Sequence, residues 1–122
     1  MDIIDLWIRT DESVGFAAVA VAGELDLVTV PRLRRHLFEL VARQSRIVCD
    51  VSRLKLCDAS ALTALVQVAS ACADNGGWLR LAGPTGIVSK VFGIVAFDRA
   101  VAMYATVAAA GRGDASQLVK PG

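Results

Sequence analysis

One histidine and three cysteines, an odd number without paired spacing, leave this chain without any of the usual ligand sets of a zinc site. No metal and no cofactor is expected. An excess of either charge is also missing. Thirteen Lys and Arg stand against 12 Asp and Glu, which argues against a strongly electrostatic nucleic-acid binder. There is no membrane-length apolar run. The most apolar stretch, Ala59 to Ala73, is shorter than the ~20 residues a spanning helix needs, and Ser60, Thr63, Gln67 and Ser70 interrupt it. Asp2 and Asp5 break the start of the chain where a signal peptide would be basic and then apolar. These absences together lead to the expectation of a cytoplasmic protein in a reducing compartment, with no direct membrane insertion.

Catalytic patterns are scarce as well. Gly83-Pro84-Thr85-Gly86 lacks the lysine and spacing of a phosphate-binding loop, and no Gly-x-Ser-x-Gly elbow occurs. His36 falls beside Arg35 on the polar side of a predicted helix, as a solvated residue rather than a base. Asp26 and Asp58 can meet where strands end, but the sequence supplies no nucleophile, metal or oxyanion donor beside them. An enzyme is not expected.

What is present is a large apolar fraction, 55% of 122 residues, enough for one domain with a substantial core. The run through Ile3, Ile4, Leu6, Trp7 and Ile8 predicts a first strand, and Thr10 to Ser13 a turn. Val14 to Val21 predicts a second strand able to pair with the first as a hairpin, broken by Gly23-Glu24-Leu25-Asp26. Thr29 is placed to cap a helix with Pro31 in its first turn, and Leu33, Leu37, Leu40 and Val41 share one face of it. Ile47 to Val51 reads as a buried strand, Ser52 to Cys57 as a loop, and Ala59 to Asn75 as a helix ended by Gly76-Gly77. Trp78 to Ala82 is a further strand. Thr85 to Phe92 is a third helix with Ile87, Val91 and Phe92 inward, and Val101 to Tyr104 a last strand before an alanine-rich helix. Residues 111–122 read as a polar, frayed tail. Strands alternating with helices predict an α/β fold whose sheet has parallel neighbours.

The charges are uneven along the chain. An acidic first thirty residues precede a basic stretch from Arg32 to Lys55, which reads as a solvated helix face or a docking patch. Cys49 and Cys72 lie in apolar runs as small core residues, whereas Cys57 sits at a loop–helix junction and is the candidate redox thiol. The segment Leu56-Cys57-Asp58-Ala59-Ser60-Ala61-Leu62 carries the most information. It places one carboxylate and then small residues at a helix start, where unpaired N–H groups favour a negative group. Asp58 and Ser60 can act there as caps, or as part of a surface that a partner grips and a phosphate blocks.

Those residues, with Gly23-Glu24-Leu25-Asp26, Asp50-Val51-Ser52, Asn75-Gly76-Gly77 and Val91-Phe92-Gly93 in the same order, resemble the STAS domain, especially the free-standing anti-anti-sigma factors of bacteria. The resemblance implies a STAS domain over 1–110, with a mixed four- to five-stranded sheet packed against about four helices. It also implies an anti-sigma factor antagonist that binds an anti-sigma factor, often a GHKL-type serine kinase, and so frees a sigma factor. The partner surface it implies comprises Asp26, Asp58, Ala59, Ser60 and Ala61. In the family, the residue directly after the motif aspartate is a serine or threonine that the kinase phosphorylates. Here that position is Ala59, and Ala61 stands where the family has glycine. The usual switch is therefore not expected, and Ser60, one position on, is the candidate displaced phosphoacceptor. A transporter accessory subunit and a small-ligand sensor are the alternatives that the same resemblance leaves open.

Overall fold

Alternating burial drives the first half of the chain into a sheet. The structure, a computed structural model, describes residues 6–13 and 15–122. In strand β2 (Phe16–Leu25), Ala17, Val19 and Val21 point into the core while Ala18, Ala20 and Ala22 are half-buried on the opposite face. Strand β1 (Leu6–Ser13) pairs with it antiparallel, Ser13 opposite Phe16, as the expected hairpin. Strands β3 (Arg46–Cys57), β4 (Trp78–Ala82) and β5 (Met103–Tyr104) follow in parallel, giving the spatial order β1-β2-β3-β4-β5. Helices α1 (Val30–Val41), α2 (Ala59–Asp74), α3 (Gly86–Ile94) and α4 (Val107–Arg112) make the connections and close the fold. The result is a mixed five-stranded sheet with four α-helices among the described residues, as expected.

The sheet faces two unequal layers. On one side Leu33, Leu37 and Leu40 of α1, Leu65, Val68 and Cys72 of α2, and Val88 and Phe92 of α3 pack on Val19, Ile47, Cys49 and Leu81. Each large aliphatic side chain fully buried there stabilises the fold by ~1.5–3 kcal/mol. On the other side a smaller cluster joins Val48, Ala82 and Tyr104 to Ala109 and Ala110 of α4. Arg80 locks that layer. Its guanidinium stacks 3.7 Å from the Trp78 ring and donates to the Ala110 carbonyl at 2.9 Å.

Several boundaries differ from expectation, for one reason. Thr10 to Ser13 continues β1, Gly23 to Leu25 continues β2, and Ser52 to Cys57 continues β3. These segments are polar or contain glycine, which suggests turns, but each finds its backbone partners in the neighbouring strand and turns its polar side chains outward. Shifts in the β2–β3 register near Ala20–Ala22 and Gly23–Glu24 accommodate the extension. In α3, Val88 takes the inward place expected of Ile87, which is exposed. The expected strand residues Ile3, Ile4 and Val14 lie outside the described residues.

The tail, expected to be frayed, makes a short turn and backbone hydrogen bonds to the rest of the domain. Ala115–Gln117 form a 3₁₀ turn, and Ala105 N–H donates to Gln117 O and Val119 N–H to Met103 O, both at 2.9 Å. Val119 packs against the core. His36 is half-buried rather than solvated, with Nε2 2.6 Å from the Thr10 hydroxyl.

Candidate functional site

The parallel pairing of β2 and β3 decides where the site forms. Leu25 and Cys57, the last residues of the two strands, are register partners, so the loops that follow them emerge side by side. The β2–α1 loop carries Asp26, and the β3–α2 junction is Asp58. The two carboxylates that lie 32 positions apart in sequence thus belong to one surface at the C-terminal edge of the sheet.

Each loop is built around its aspartate. Asp26 Oδ1 accepts the N–H groups of Val28 and Thr29, both at 2.9 Å, while Asp26 N–H donates to Thr29 Oγ1 at 3.0 Å. The Thr29 hydroxyl donates to the Glu24 carbonyl at 2.7 Å. Thr29 occupies the N-cap position of α1 but makes no side-chain cap bond to the helix; it closes the Asp26 loop instead. This corrects the expected capping role. With its polar groups turned inward, the loop displays Leu27 and Val28, which are 74% and 85% exposed.

Asp58 is a true N-cap. Its backbone is extended (φ −96°, ψ −177°) and Oδ1 accepts the Ala61 N–H at 3.1 Å. The Ser60 hydroxyl donates to the same oxygen at 2.5 Å. That bond is the main reason the Asp58 carboxyl lies below its ordinary 3.8. Partial burial opposes it, and the N–H groups of Ala61, Ser60 and Leu27 add to it. The Asp58 N–H donates to the Leu25 carbonyl at 3.1 Å. Asp58 thus ties the first turn of α2 to the end of β2, from which the Asp26 loop departs. Ala59 is exposed, Ser60 half-buried and Ala61 buried against the core.

Cys57 has the opposite surroundings from those a redox thiol requires. It is 2% exposed, and burial, with Asp58 adding to it, pushes its thiol up to about 12. A residue at a strand end can point inward as readily as outward, and Cys57 points inward. Cys49 and Cys72 are core residues as expected, pushed up by burial to about 12 and about 11. Among the described residues no group of His, Cys, Asp or Glu could hold a metal ion, and no helix is long and apolar enough to cross a membrane.

Sequence reasoning missed the apolar part of this surface. On α2 the inward residues Ala61, Ala64, Leu65, Val68 and Cys72 follow the helical period. Leu62, half-buried against the core, and the exposed Val66 lie at the edge of that face. They border a shallow cleft of about 370 Å³ whose other walls are Thr63, Gln67, Val95 and Phe97. Apolar residues that break the inward period, and two adjacent apolar residues in a short loop, are the signals that marked it.

A matching family profile covers residues 8–110 and is that of the STAS domain. The chain belongs to the STAS domain family. An anti-sigma factor antagonist from Mycobacterium paratuberculosis shares the fold with a TM-score of 0.79 at 21% identity, over 88% of this chain and 92% of that one. The Bacillus cell fate determinant SpoIIAA in its phosphorylated form aligns with a TM-score of 0.67 at 17% identity, over 88% and 99%. The murine Slc26a9 anion transporter contains the same fold, with a TM-score of 0.66 at 16% identity, over 87% of this chain and 19% of the transporter. Curated protein sequences give no match.

Proposed function

We propose that this STAS domain is an anti-sigma factor antagonist: it binds an anti-sigma factor through the face formed by Asp26, Asp58, Ala59 and Ser60, with Ala61, expected on that face, buried beneath it, and so releases a sigma factor. The observation that carries this reading is the junction of the two aspartate loops. A small-residue helix start, accessible at Ala59, stands next to two exposed apolar side chains on a hydrogen-bonded loop. Such a surface suits protein contact and lacks a nucleophile–base pair for chemistry. The anti-sigma factor antagonist of similar fold supports the class.

Ala59 cannot accept a phosphate, so binding is not switched at that position. Ser60 is the hydroxyl of the first helical turn, and it is committed to Asp58 at 2.5 Å. A phosphate there would break the bond and set roughly two negative charges beside the carboxylate. In this reading Ser60 serves the cap and the domain binds constitutively. The partner of such a domain is an anti-sigma factor, including one of the GHKL kinase type.

Parallel capture from native cells with wild-type protein and Asp58→Lys tests the reading, with folding of both checked by circular dichroism. An anti-sigma factor retained by wild type and lost from folded Asp58→Lys is expected; an unchanged set of proteins refutes the face. Incubation with the captured kinase and ATP, followed by mass spectrometry, is expected to leave Ser60 unmodified. Phosphate on Ser60 would make it the displaced acceptor and refute constitutive binding.

A further inference from the structure

Thr29 stands where a helix cap is expected and does not cap. At the N-cap position of α1 its hydroxyl bonds to no N–H of the helix. It turns back over the loop that leads into α1. Asp26 N–H donates to it at 3.0 Å. Its single proton has two acceptors in reach, the Glu24 carbonyl at 2.7 Å and Asp26 Oδ1 at 3.2 Å, and the nearer carbonyl takes it. The Thr29 N–H meanwhile donates to Asp26 Oδ1 at 2.9 Å. One residue thus holds Asp26 at both its amide and its carboxylate.

The anchor of this arrangement is the end of β2, whose last two carbonyls each hold one loop of the proposed face. Glu24 O accepts the Thr29 hydroxyl, and Leu25 O accepts the Asp58 N–H at 3.1 Å. The Leu25 bond is made by backbone, so any residue but proline at position 58 can form it. The Glu24 bond needs a hydroxyl at position 29. Side-chain chemistry at that one position therefore decides where Asp26 stands relative to Asp58. Glu24 is exposed, and Asp26 and Thr29 are half-buried, so water can replace a hydrogen bond lost there. Removing the hydroxyl costs the fold little but releases the loop.

We propose that Thr29 is a positioning residue for partner binding: its hydroxyl fixes the Asp26 carboxylate in place relative to Asp58, and the anti-sigma factor binds the two loops in that arrangement. This rests on the antagonist reading above and adds to it a residue that acts through Asp26. A loop held in its bound geometry beforehand has little conformational entropy left to lose on binding, whereas a released loop must first be ordered.

Thr29→Val removes the hydroxyl and keeps the branched shape, while Thr29→Ser keeps the hydroxyl and drops the methyl. Thr29→Ala is a second hydroxyl-free variant in case the valine form does not fold. Thermal unfolding should place each within about 5 °C of the wild-type midpoint. Backbone ¹⁵N relaxation of the free proteins is expected to find Asp26, Leu27 and Val28 as rigid in Thr29→Ser as in wild type, and mobile in Thr29→Val. In titrations with the purified anti-sigma factor captured with wild type, Thr29→Ser should bind within about threefold of wild type, and Thr29→Val about tenfold or more weakly. Asp26→Lys and Asp58→Lys are measured beside them. If folded Thr29→Val binds like wild type while both lysine variants lose binding, the face stands and the positioning role is refuted. Equal losses in Thr29→Ser and Thr29→Val refute it too, because the hydroxyl would then not be what matters. If neither lysine variant weakens binding, the antagonist face itself is overturned, and the role of Thr29 with it.

Discussion

The two ends of α2 are built in opposite ways. At the C-terminal end Gly76 takes φ +78° and Gly77 N–H donates to the Cys72 carbonyl at 2.8 Å. The helix is stapled there to the α1–β3 connection: Ser45 Oγ donates to Asn75 O at 3.1 Å, and Trp78 N–H to Ser45 O at 2.9 Å. A Cβ on Gly77 would lie 2.0 Å from the Ser45 carbonyl oxygen. At the N-terminal end a side chain, Asp58, does the capping, and the groups it gathers, the Ser60 hydroxyl and the Ala61 N–H, belong to the helix's own first turn. The first end is closed by backbone packed on backbone, with no room to vary. The second is closed by a carboxylate on the surface, which a variant can alter without collapsing the fold. The backbone packing that fixes the helix and the face proposed for recognition thus lie at opposite ends of α2.

Substitutions at each end test that division. Gly77→Ala should be the most damaging, at roughly 3 kcal/mol, because the clash is with backbone that cannot rotate away. Chemical denaturation should read it as a lower midpoint, with partner affinity of the folded fraction unchanged. Leu65→Ala, in the middle of the buried face, should cost ~2–5 kcal/mol and likewise leave affinity alone. Asp58→Ala should cost only ~1 kcal/mol, the usual loss of an N-cap, while weakening partner binding. If Gly77→Ala weakened binding in the folded state as much as Asp58→Ala, the two ends would not be separate.

Smaller effects sharpen the picture at the N-terminal end. Ser60→Ala removes the strongest bond to Asp58 and should cost at most ~1 kcal/mol. Its clearer signature is in titration. The folded Asp58 carboxyl lies below 3.8, so its contribution to stability is complete above that value and fades as pH falls through the lower folded one. In Ser60→Ala the fade should begin at higher pH, by NMR titration of the Asp58 carboxyl carbon. An unshifted titration would mean that the hydroxyl is not what holds the carboxylate low.

How much of this was legible beforehand depends on which interaction decides each feature. The inward stripe of α1 and the start and end of α2 follow local rules of period, cap and glycine, and the α/β order follows from alternating patterns. The long ends of β1, β2 and β3 did not show, because a strand with polar side chains is recognised only by the neighbour that satisfies its backbone. The tail did not show either: its hydrogen bonds go to Met103 and Ala105, which no local pattern links to it.

At the site the same line divides the residues. The amino-acid sequence by itself determined that Asp58 caps a helix with small residues behind it, that position 59 has no hydroxyl, and that the chain carries the motifs of its family. Those are matters of residue type and local spacing. Only the tertiary structure decided that Cys57 turns inward, that Asp26 and Asp58 share one surface, and that Leu27, Val28 and Val66 remain uncovered. Each depends on the parallel register of β2 against β3 and on which helix lies over which strand, and such long-range packing is written in no single segment of the chain.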